Sequence, residues 1–166
     1  MPPNLDVYVI SSARDRNTIR RFLDSYIDIE TSEDRGTEEL MMLPLGTTDP
    51  TKHVARLGLG TLWNSEPHHR TRLAATAKGI FVHLNALDAA LAGASLGFTT
   101  DNQIVFGLSL DDDGGKPENL DRAKSLLRAI AGDLEGQHGF IGVETPPPLT
   151  AATGPSGMIL YVWPSA

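Results

Sequence analysis

The sequence predicts an α+β fold: residues 1–166 as a single domain, with a mainly antiparallel β-sheet and two principal α-helices packed on one face. Three observations predict it. Apolar and polar residues alternate on both sides of Asp101-Asn102, the pattern of a β-hairpin. Two other stretches repeat apolar residues at three- and four-residue steps, as amphipathic helices do. Sixteen glycines and eleven prolines break the chain into short elements, which argues against a helical bundle.

The elements follow in order. Leu5 to Ser11 is rich in β-formers and reads as a strand. Ser12 sits three residues before Asp15, a serviceable helix N-cap with an acid in the first turn. Ile19, Phe22, Leu23, Tyr26 and Ile27 then form one apolar stripe through about residue 28. Residues 30–39 are an acidic loop. Residues 40–45 read as a short strand limited by Pro44, and 47–78 give no clear pattern.

"GIFVHL" (79–84) is apolar on both faces and predicts a buried strand, with His83 a hydrogen-bonded, mostly buried side chain. "NALDAALAG" can add one helical turn. In the hairpin, Leu96, Phe98 and Thr100 alternate with small residues, and Ile104, Phe106, Leu108 and Leu110 repeat the alternation. Pro117 suits the first turn of a second helix. Leu120, Ala123, Leu127, Ile130 and Leu134 supply its stripe, and Gly136 can end it. Residues 139–144 and 157–163 are strands. The last, apolar on both faces, reads as central, and the Pro-rich loop between them lies on the surface. "VYVIS" and "VFGLS", each preceding a helix, hint at two similar halves, but five positions are too few for a repeat.

Composition narrows the function. The net charge is −7 and the chain holds 14 lysines and arginines against 21 acids. Phosphate backbones and anionic lipid attract the opposite balance, so nucleic acid and membrane surfaces are disfavoured as partners. The absence of cysteine excludes disulfides and thiolate chemistry. The first residues carry no basic and apolar leader, and no apolar run nears the roughly 18 residues of a membrane span. A cytoplasmic location is the expectation.

Several motifs invite chemistry. "GASLG" (93–97) is spelled like the nucleophile elbow of a hydrolase, with Ser95 as the attacking group. That elbow needs a strand, a strained turn and then a helix. Here a hairpin follows, so Ser95 reads as a strand residue between glycines that permit a close turn or bulge. "DDDGGK" is no phosphate loop, because Leu110 stands where its first glycine belongs and Pro117 follows the lysine. Gly58-Leu59-Gly60 lacks the third glycine of a dinucleotide fingerprint, since Trp63 stands there. Counted as a calcium loop, Asp111, Asp112 and Asp113 lead to Arg122 where the closing glutamate is required.

Glu66, His68 and His69, with His53 at a distance, form the one set suggestive of zinc. Adjacent histidines on extended chain point to opposite sides, and no helical or alternate-residue spacing occurs. A polar loop is the better reading, and no cofactor is expected. Arg14, Arg16, Arg20 and Arg21 crowd the first helix. Asp15 and Asp24 among them make an exposed, ion-paired face the better reading there.

No set of residues supplies nucleophile, base and orienter together. The expected function is therefore protein–protein binding by a small acidic protein. One form would be an immunity or inhibitor protein covering a basic toxin or nuclease, with Glu33, Asp34, Glu38, Glu39, Asp111, Asp112 and Asp113 facing the partner. A metal-assisted hydrolase or ligand-binding enzyme using Glu66, His68 and His69 is the alternative. A homo-oligomeric structural protein pairing through strand edges is the third.

Overall fold

A computed structural model describes residues 3–13, 15–28, 79–99, 101, 103–148, 150 and 156–164. Its elements are β1 (Asn4–Ser11), α1 (Arg16–Tyr26), β2 (Gly79–Leu84), β3 (Gly93–Thr99), β4 (Ile104–Asp111), α2 (Pro117–Asp133), β5 (Gly136–Val143) and β6 (Met158–Trp163). The strands form one six-stranded sheet in the order β2-β3-β4-β1-β5-β6, with every neighbouring pair antiparallel. The predicted α+β class is the one observed. The strand expected at 40–45 and the patternless stretch 47–78 lie outside the described residues.

Alternation within the strands sorts side chains to two faces. Leu5, Val7 and Val9 of β1 point the same way as Ile104, Phe106, Leu108 and Leu110 of β4 and Leu96 and Phe98 of β3. Onto this face pack Ile19, Phe22 and Leu23 of α1 and Ala123, Leu127, Ile130 and Ala131 of α2, in one buried cluster. Both helices thus cover the same side. Phe22 meets Phe106 with ring centroids 4.9 Å apart, a pairing worth about 0.5–1.5 kcal/mol beyond its buried area. The opposite face carries a smaller cluster of Tyr8, Ile10, Phe81, Val105 and Phe140.

Helix ends depart from expectation in instructive ways. Asp15, not Ser12, caps α1: its carboxylate accepts the Asn17 and Thr18 amides at 2.8 and 3.0 Å. These amide bonds, above all that of Thr18, hold the Asp15 pKa below the ordinary value. Ser12 instead accepts from Gln137 Nε2. Asp133 is the last residue of α2, and Glu135, with φ of 55°, takes the left-handed position expected of Gly136. Gly136 opens β5, where a Cβ would collide with Val9 and Ala131. Residues 88–91 make one turn closed by Leu91 N–H to Asp88 O, without a helix.

Two assignments by apolarity are corrected. β6 is not central: it lies at one end of the sheet, and β1 and β4 are the central strands. His83 is not buried; it is exposed near the end of β2, at the sheet's other end.

Candidate functional site

One row crosses the second face of the sheet. His83, Ser95, Gly107, Tyr8, Phe140 and Val162 are successive cross-strand partners. Ser95 lies in the middle of β3, flanked by β2 and β4, and is 6% exposed. Its Oγ occupies the space a Gly107 side chain would fill, beside the Tyr8 ring. This is flat strand rather than a strained elbow, and Leu96 and Phe98 beside it carry the packing as expected. The flanking glycines act otherwise than a turn would require. Neither has a positive φ, and Gly97 leaves room for the Phe81 ring, which a Cβ would overlap.

His83 stands across from Ser95 on the neighbouring strand. Asp6, in the next row, feels the His83 charge, but both its carboxylate oxygens are engaged. Oδ1 accepts from Ser109 Oγ at 2.6 Å and Oδ2 from the Thr145 amide at 2.8 Å. Burial raises the Asp6 pKa, and these two hydrogen bonds oppose the rise. Tyr8 donates to the Thr145 carbonyl at 3.0 Å. Its phenol pKa is also pushed up, by burial first and by Asp6 second. Asp6, Tyr8, Ser109 and Thr145 therefore form a satisfied polar pin fastening the chain that leaves β5.

The acidic run at the end of β4 divides. Asp111 and Asp113 are exposed. Asp112 is 9% exposed and turned inward: its carboxylate accepts from Asn119 Nδ2 at 2.8 Å, and its amide donates to Pro3 O. Gly114 and Gly115, both at positive φ, carry the turn that follows. Among the described residues no group of three or more metal-ligating side chains gathers. Glu33, Asp34, Glu38, Glu39, His53, Glu66, His68 and His69 lie outside the described residues. On α1, Arg20 pairs with Asp24 as the spacing implied, while Arg21 reaches Glu135 at 2.8 Å.

The most unusual surface is β6. Its six residues, "MILYVW", are all uncharged, and Met158, Leu160 and Val162 are 64, 43 and 55% exposed. Tyr161 and Trp163 lean onto the main core, with Lys124, itself paired with Asp121, over the Tyr161 ring. Tyr161 pairs with Ile141 and Ile159 with Gly142, so Leu160 is the extra residue of a bulge. Glu144, exposed and at φ 45°, follows Val143, the partner of Met158. Among the described residues no strand pairs with the outer edge of β6, and an edge of this kind is ready-made for pairing unless charge or proline blunts it. Sequence pattern could not reveal it, because a uniformly apolar strand reads alike at the centre and the edge. Among the described residues no helix is long and apolar enough to cross a membrane.

No protein-family model matches this chain, and neither a curated protein nor a solved structure does.

Proposed function

We propose that this protein works by binding another protein. The observation carrying this reading is β6, an uncharged apolar strand whose Met158, Leu160 and Val162 stand exposed at the end of the sheet. Exposed apolar strands are costly in a soluble chain, and where they persist they mark contact surfaces. The polar groups buried on the second face support the same reading, since Asp6 and Tyr8 spend their hydrogen bonds on holding Thr145.

The partner is a basic protein, and inhibition of a toxin or nuclease in the cytoplasm is the form we favour. A net charge of −7 speeds encounter with such a surface. Exposed Asp111 and Asp113, together with Glu33, Asp34, Glu38 and Glu39, supply the steering charge.

Purification from the native host, with identification of what co-purifies, tests the proposal. A stoichiometric basic protein is expected. Neutralising Glu33, Asp34, Glu38 and Glu39 should lower kon and flatten its salt dependence. About one zinc per chain in elemental analysis, lost on His68→Ala or His69→Ala, would overturn the binding reading in favour of metal chemistry.

A further inference from the structure

We propose that β6 receives an extended segment of the basic partner as an added antiparallel strand, with a lysine or arginine near that segment's C-terminal end facing Glu144. The inference rests on the protein-binding reading and specifies its mode. Every strand pair in the sheet is antiparallel, and a further antiparallel strand would hydrogen-bond along the outer edge of β6. Its side chains would meet Met158, Leu160 and Val162, the three exposed apolar residues of that edge.

Charge selects the occupant. An antiparallel strand on β6 ends beside Met158, and the adjoining Glu144 is exposed there. Two strand spacings, about 10 Å, separate the incoming backbone from β5. A lysine or arginine side chain spans much of that gap, and the rest lies within roughly one Debye length. Lys124, the cation over Tyr161, is paired with Asp121 and so offsets little of this field.

A second copy of this chain fits less well. Each copy carries −7, so pairing two copies along β6 brings like charge together.

The test uses the full chain and synthetic peptides. One is an apolar, β-branched octapeptide ending in two lysines; its control ends in two glutamates. Hydrogen exchange across residues 158–163 and peptide affinity are read together. The lysine peptide should slow exchange there and bind about tenfold more tightly than the control. Glu144→Gln should remove most of that difference, and Val162→Lys should weaken both peptides. No binding of the lysine peptide at millimolar concentration overturns strand addition, as does binding without slowed exchange at β6 or binding indifferent to peptide charge. Concentration-dependent protection of β6 in the chain alone would assign the edge to a second copy. A co-purified partner that leaves exchange at 158–163 unchanged would overturn strand addition while protein binding stood.

Discussion

The Asp6 carboxylate and the Thr145 amide, 139 residues apart in sequence, meet at 2.8 Å. Two residues along the same strand, Tyr8 holds the Thr145 carbonyl. One face of β1 thus grips both backbone groups of a single residue and fixes the course of the chain beyond β5. Removing the carboxylate leaves a buried amide unpaired, so Asp6→Ala should cost about 1–3 kcal/mol in urea unfolding. Asp6→Asn can accept from Thr145 and donate to Ser109, and should cost far less.

The same residue sets a pH signature. Burial raises the Asp6 pKa above the ordinary 3.8, so in that window the folded state binds more protons than the unfolded chain. Stability from this group therefore falls as pH rises from about 3.8 through the folded value, then levels off. Asp6→Asn lacks this contribution, so its stability relative to the native chain should improve with rising pH across that window. Unfolding curves at a series of pH values would show it; a variant that loses stability relative to the native chain as pH rises would contradict the assignment.

Gly97 and Gly93 should respond differently to the same change. A Cβ at Gly97 overlaps the buried Phe81 ring, whereas at Gly93 the nearest atom is 3.8 Å away. Gly97→Ala should destabilise by about 1–3 kcal/mol, and Gly93→Ala should be close to neutral. Equal effects in chemical denaturation would show that the ring is not held against β3.

Ser95 should not react with a fluorophosphonate probe, because it sits mid-strand between β2 and β4 at 6% exposure. Ser95→Ala should change stability by about 1 kcal/mol or less. Stoichiometric labelling would make it a nucleophile after all.

Two contacts tie α1 to the end of α2, and they should differ in weight. Tyr26 donates to Asp133 at 2.6 Å, and the half-buried ring also packs on the core. Tyr26→Phe should cost about 1 kcal/mol. The Arg21–Glu135 pair has both side chains about half exposed or more, so Glu135→Gln should cost little, roughly 0–1 kcal/mol. Denaturation midpoints of the two variants decide the order.

What could be read from sequence was local. The alternation around Asp101 placed β3 and β4 within two residues, and the stripe from Leu120 to Leu134 located α2. Position within the sheet was not readable, because strand order depends on pairings far apart in the chain. By pattern alone β6 therefore reads as a central strand and His83 as a buried residue, whereas β6 ends the sheet and His83 is exposed. Apolar residues on both faces say what a strand can tolerate, not how many neighbours it has. The Asp6–Thr145 pin was invisible for the same reason: neither residue belongs to a motif, and only the β1–β5 pairing brings them together.

Quantitative capture in the native host tests the central claim most directly. The tagged chain should retain a stoichiometric basic protein, and Val162→Lys, a change at a 55% exposed position, should lose it while remaining folded. Recovery of no partner, or equal recovery by the native and Val162→Lys chains, would contradict binding through β6.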